Sequence, residues 1–87
     1  MAAKRKETKN GLTVGEASQC TGLTKRTLQY YDEIGLLHPT GRTFDGARYY
    51  TPADLVRLEQ IVFYTDIGIP LETIRELLEQ QGELTEV

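Results

Sequence analysis

The sequence predicts a mainly α-helical domain of the winged helix-turn-helix class, and three observations carry that expectation. Two short helical segments meet at a glycine, a turn-rich stretch of changed periodicity follows them, and two longer segments with apolar stripes close the chain. At 87 residues there is room for one small domain with a thin core, about 60–65% of the unfolded surface being buried on folding.

The elements follow from local chemistry. The first eleven residues, with Lys4, Arg5, Lys6 and Lys9 against Glu7 and no apolar pattern, read as a disordered basic arm or an appended leader. Thr13 can cap a helix of about two turns that carries Val14, Ala17 and Cys20 inward and ends at Gly22. Thr24 can cap the next helix, Lys25 to Ile34, with Leu28 and Tyr31 on one face and Gly35 as its stop. Turn signals at His38-Pro39-Thr40-Gly41 and Phe44-Asp45-Gly46 predict a small hairpin turning near Asp45-Gly46. Thr51-Pro52 then opens a helix, with Asp54 favourably placed near its positive end and Leu55, Leu58, Val62, Thr65 and neighbouring Ile61 inward. Gly68 ends it. A last helix starts near Pro70 with Leu71, Ile74, Leu77 and Leu78 on one side, and Gly82 marks a further break. The domain is accordingly expected over residues 12–80, with 81–87 as the start of a linker.

Composition excludes several classes of function. No apolar run reaches the roughly 18–20 residues of a membrane span, and the basic start has no apolar stretch behind it, so neither a membrane anchor nor a secretory leader is expected. One cysteine and one histidine are too few for a structural zinc site, and a reducing cytoplasm suits a chain without a possible internal disulfide. No nucleophile-base pair, paired carboxylates, phosphate loop or metal set supports an enzyme, and no cofactor is expected. The net charge of −3 conceals an asymmetry. Residues 1–50 carry eight Lys/Arg against five Asp/Glu, a balance of +3, whereas residues 51–87 carry two against eight, a balance of −6. A basic half braced by an acidic one fits a small nucleic-acid binder.

At this point the residues become recognisable. "TVGEASQCTGLT", "TLQYYDEIGLLHP", "RTFDGARYY", "YTPADLVRLEQI" and "FYTDIGIPLETIRELL", together spanning about Leu12 to Glu79, resemble the DNA-binding domain of the MerR family of bacterial transcription regulators. The specific part is "YYDEIGLL" followed by a proline and then by the pattern R-x-x-x-G-x-R-x-Y. A recognition helix enters the major groove by its first turns, so Thr24, Lys25, Arg26, Thr27, Gln29 and Tyr30 are the first candidates for DNA contact. The Arg26 guanidinium fits the two acceptors of guanine, while Lys25 and the hydroxyls of Thr24, Thr27 and Tyr31 suit phosphates. Tyr30 and Tyr31 cannot share a face: one belongs to the core and the other to the DNA side, and Tyr31 could pack its ring inward with its hydroxyl at the rim. The resemblance implies that the wing lies on flanking backbone through Arg42 and Arg48, with Tyr49 and Tyr50 adding hydroxyl contacts or packing the hairpin. Arg42 and Arg48 could instead form ion pairs with Asp45.

Two positions depart from the family pattern. Gln29 stands where many relatives have arginine, which withdraws a charge and leaves an amide able to read adenine. Ala47 stands where the residue between Gly46 and Arg48 is often aromatic. Cys20 is expected as a small core residue at a helix end, and His38 as part of a linker turn. The resemblance further implies a homodimer, formed through a helix beyond this chain, that binds and distorts an inverted-repeat promoter operator and acts on RNA polymerase through the DNA. On this reading the chain is the DNA-reading fragment of a longer regulator, in preference to a stand-alone member. The other readings are an architectural or excisionase-like winged helix that binds DNA cooperatively, and a protein-interaction module that has lost DNA affinity.

Overall fold

The computed structural model describes residues 11–86, with side chains through residue 80. Apart from Gly11, the basic arm expected at the start lies outside the described residues. The order is α1 (Val14–Thr21), α2 (Lys25–Glu33), β1 (Gly41–Arg42), β2 (Arg48–Tyr49), α3 (Pro52–Asp66) and α4 (Leu71–Glu86).

Threonine hydroxyls start three of the four helices. Thr13 caps α1 in a reciprocal box, its hydroxyl accepting from the Glu16 amide at 3.1 Å while Glu16 accepts from the Thr13 amide at 3.0 Å. Thr24 accepts from the Thr27 amide at 3.0 Å, and Thr51 forms a second box with Asp54, with Pro52 in the first turn. The turn between α1 and α2 is held from the side: Ser18 donates to the Leu23 carbonyl at 2.5 Å, and Thr21 accepts from the Leu23 amide at 3.1 Å. Gly22 closes α1 at φ 83°, in the left-handed region that a side chain would strain.

The wing is a two-stranded antiparallel hairpin pairing Gly41 with Tyr49 and Arg42 with Arg48. A further antiparallel bridge between Leu12 and Tyr50, with bonds of 2.9 and 2.8 Å, ties the wing to the entrance of α1. One core collects Ala17 of α1, Leu28 and Tyr31 of α2, Leu36 and Leu37 after it, Tyr50 at the wing's base, Leu58 and Ile61 of α3, and Ile74 and Leu78 of α4. At about 25 cal/mol per Å² of apolar area, side chains drawn from every helix give the domain its cohesion. The two arginines of the acidic half are part of this bracing. Arg57 donates to the Leu36 carbonyl at 2.9 Å and Arg75 donates to the Ile34 carbonyl, so both place positive charge beside the C-terminal end of α2.

Several expectations need correction. Cys20 is exposed and not a core residue; α1 points Ala17 inward, and Cys20 ends on the lip of an open apolar cleft with Leu12, Leu55 and Leu58. The buried stripe of α3 is Asp54, Leu58 and Ile61, with Leu55, Val62 and Thr65 half-buried at its edge. Gly82 does not break α4, whose helical backbone continues to Glu86; a glycine inside a helix costs about 1 kcal/mol, too little to stop one by itself. The second helix ends one residue early, with Ile34 as its cap.

Candidate nucleic-acid interface

The cap of α2 organises its first turn. The Thr24 hydroxyl accepts from the Thr27 amide and donates to Thr27 Oγ1 at 2.9 Å, which leaves the Thr27 hydroxyl proton free to donate outward. With Leu28 and Tyr31 committed to the core, Lys25, Arg26, Gln29 and Tyr30 are turned to solvent. Arg26, Gln29 and Tyr30 line one shallow depression together with Glu33, residues three and four apart on one helical face. Tyr30 is 49% exposed and Tyr31 only 5%, which resolves the pair: Tyr31 is core, and burial pushes its phenol pKa up.

The wing meets this face across a cleft of about 260 Å³, lined by Lys25, Gln29 and Asp32 of α2 and Arg48 of β2 together with Val14, Leu28, Pro39 and Tyr50. Arg42 and Arg48 are direct partners in the ladder, so their side chains leave the same face of the hairpin. Like charges directly opposite oppose one another, and an anion lying across them relieves that repulsion. Strand alternation sends Tyr49 to the other face, where its ring covers Gly41 and reaches Gly11; a Cβ on Gly41 would stand 2.5 Å from the ring. Tyr49 and Tyr50 therefore pack the wing. Lys25 and Gln29 thus share a cleft with Arg48, and Arg26, Gln29 and Tyr30 share the neighbouring depression; Arg42 stands beside Arg48 in the ladder, Thr24 and Thr27 lie at the start of α2, and Tyr31 and Tyr49 pack inward and on the hairpin.

The sequence did not reveal what orients this surface. Asp32 accepts from His38 Nδ1 at 2.6 Å and pairs with Arg48 at 3.4 Å, joining the end of α2 to the following loop and to the wing. Arg48 thus pairs with Asp32 and not with Asp45, whose carboxyl is held below its ordinary pKa by the Thr43 hydroxyl and the Ala47 amide. His38 is in this way more than a linker. Asp54 anchors the other end of the wing, its Oδ2 accepting from the Thr40 amide and hydroxyl, both at 2.8 Å, and from the Thr51 amide at 2.9 Å. Burial pushes the Asp54 carboxyl up, but the amides and hydroxyls of Thr40 and Thr51 outweigh it and leave the pKa below its ordinary value. Six residues separate His38 from Asp32 and fourteen separate Asp54 from Thr40, spacings with no local signature. Among the described residues no cluster of His, Cys, Asp or Glu could hold a metal ion, and no helix is long and apolar enough to cross a membrane.

Residues 12–81 match the family model for MerR HTH family regulatory proteins. The transcriptional activator TipA of Streptomyces coelicolor is 48% identical over 67 residues, which cover 77% of this chain and 26% of that protein. The crystal structure of the transcriptional regulator SkgA from Caulobacter crescentus superposes with a TM-score of 0.76 at 40% identity, covering 83% of this chain and 52% of that one. The MerR family regulator HiNmlR, which lacks the sensor domain and was crystallised bound to promoter DNA, superposes with a TM-score of 0.66 at 32% identity over 79% of this chain and 55% of that one. The chain spans about a quarter of the length of the curated relative and about half of the solved ones.

Proposed function

Because the chain belongs to the MerR family of HTH transcription regulators, a non-enzymatic family, and carries its DNA-binding domain, we propose that it reads double-stranded promoter DNA through α2 and the wing. The observation that carries this reading is the convergence of Lys25 and Gln29 with Arg48 on one cleft, beside the Arg42–Arg48 ladder pair. Arg26 takes guanine O6 and N7 in the major groove and Gln29 takes adenine N6 and N7. Lys25, Thr27, Arg42 and Arg48 hold phosphates, Thr24 fixes the first turn of α2, and Tyr30 lies along the groove wall. The binding of HiNmlR to promoter DNA supports the choice of ligand.

The finer reading is a cytoplasmic homodimer on an inverted-repeat operator, which the protein distorts so that RNA polymerase can use the promoter. It is supported by membership in a regulator family and by relatives that extend well beyond the length of this chain. Two-fold symmetry of the protein then requires two-fold symmetry in the site.

The test compares a duplex selected from a random-sequence pool with the pool itself. Arg26→Ala should cost about 1–3 kcal/mol on the selected duplex and relax discrimination at one base, while Arg48→Ala weakens both alike and lowers the salt slope by about one. Equal losses on both duplexes for Arg26→Ala would defeat base reading. Head-to-tail footprints in place of one inverted repeat would replace the dimeric regulator with the cooperative architectural binder.

A further inference from the structure

The wing tip carries a feature that phosphate contacts leave unexplained. Phe44 is fully exposed, the most exposed of the large apolar side chains among the described residues. The others in that class are Tyr30, already on the DNA side, and Val56, Phe63 and Ile67, which lie along α3 and are each 57–60% exposed.

The loop that presents Phe44 is closed by its own hydrogen bonds. The Thr43 amide donates to the Ala47 carbonyl at 2.7 Å and the Gly46 amide to the Thr43 carbonyl at 2.9 Å. The Thr43 hydroxyl accepts from the Ala47 amide at 2.9 Å and donates to Asp45 at 2.5 Å. Gly46 takes the left-handed turn at φ 95°. These bonds hold the loop and engage nothing of the Phe44 side chain, so the ring stands out on a hydrogen-bonded tip, fully exposed among the described residues. Asp45 beside it carries negative charge, which keeps the very tip off a phosphate oxygen. The ring lies in the turn two residues beyond Arg42, past the Arg42–Arg48 pair at the end of the wing.

We propose that Phe44 is a DNA-contacting residue whose ring packs on the deoxyribose wall of the minor groove flanking the half-site, beyond the phosphates held by Arg42 and Arg48. Sugar is the apolar surface that a duplex offers between phosphates, and it is the same in every sequence, so the contact adds affinity without adding discrimination. Minor-groove packing of an apolar side chain also favours a widened, bendable flank. The inference rests on the DNA-binding reading given above.

Two variants test it. Phe44→Ala removes the ring from a position that touches no core residue, and it should weaken binding to the selected duplex and to the random pool alike, about tenfold, with the salt slope unchanged. The chain contains no tryptophan, so Phe44→Trp places a sole indole reporter at the tip. Its emission should move to shorter wavelength and become shielded from acrylamide when duplex is added. Wild-type binding with an unaltered affinity for Phe44→Ala, or an indole emission that duplex does not move, overturns the contact. An emission change produced by RNA polymerase and not by duplex overturns it in favour of a protein-docking tip. Absence of any salt-dependent affinity in the wild-type chain is the distinct outcome that removes the DNA-binding reading itself, and this inference with it.

Discussion

Asp54→Ala is expected to unfasten the wing from α3, and the cost can be worked from three bonds. Oδ2 of Asp54 accepts from the Thr40 amide, the Thr40 hydroxyl and the Thr51 amide at 2.8–2.9 Å. Hydrogen bonds to a charged group are worth about 1.5–3 kcal/mol each, and a buried amide left without its acceptor costs about 1–3 kcal/mol. Thr40 is exposed enough for water to replace part of what is lost, which takes the sum to the lower end, about 3–4 kcal/mol. A domain of this size has a total stability of about 4–12 kcal/mol, so the loss is a quarter or more of the whole. Asp54→Asn keeps an oxygen where Oδ2 stands and loses the charge, for a cost of about 1–2 kcal/mol.

The pH dependence separates the two effects. Burial raises the Asp54 pKa, but the four hydrogen-bonding groups of Thr40 and Thr51 lower it by more, so the folded carboxyl is the stronger acid. Its contribution is therefore complete above the unfolded value of about 4 and is lost as pH falls through the lower folded value. Urea unfolding followed by far-ultraviolet circular dichroism, repeated from neutral to acid pH, measures both quantities. Asp54→Asn should flatten the acid limb of the stability profile; Asp45, whose carboxyl is also a stronger acid in the folded chain, contributes to the same limb. A loss below about 1 kcal/mol for Asp54→Ala, or an acid limb in Asp54→Asn that parallels the wild type, would refute the anchoring argument.

Two further outcomes follow from the wing's other contacts. Gly41→Ala brings a Cβ within 2.5 Å of the Tyr49 ring, so it should destabilise the domain by about 1–3 kcal/mol by thermal melting and weaken DNA binding through a displaced hairpin; an unchanged melting curve would show that the ring moves aside freely. Asp32→Asn removes a competing anion from the 44%-exposed Arg48 side chain, so it should cost under about 1 kcal/mol in stability while raising duplex affinity a few-fold in a fluorescence anisotropy titration. A fall in affinity would show instead that Asp32 aims the guanidinium at its phosphate.

Much of the site was legible because its rules are local. Thr13, Thr24 and Thr51 were identifiable as caps, since a hydroxyl ahead of a periodic segment meets amides at fixed offsets. Gly22, Gly35, Gly46 and Gly68 were identifiable as stops or turns, and all four have positive φ. The solvent-facing row of Lys25, Arg26 and Gln29 followed once Leu28 was assigned to the core. Cys20 was misplaced because apolar spacing does not say where a two-turn helix runs out of neighbours, and Gly82 because propensity alone cannot end a helix.

The sequence by itself determined the helix starts and stops, the hairpin and its turn, the family resemblance and the concentration of positive charge in the first fifty residues, all properties of residues a few positions apart. Tertiary structure alone decided which tyrosine is core, that Arg48 answers to Asp32, that Thr40 closes on Asp54, and that the arginines of the acidic half brace the end of α2. The physical reason is reach. A cap or turn is satisfied within about one helical turn of its own residue, whereas a buried carboxylate or an orphan carbonyl takes whichever donor the packed core brings to it.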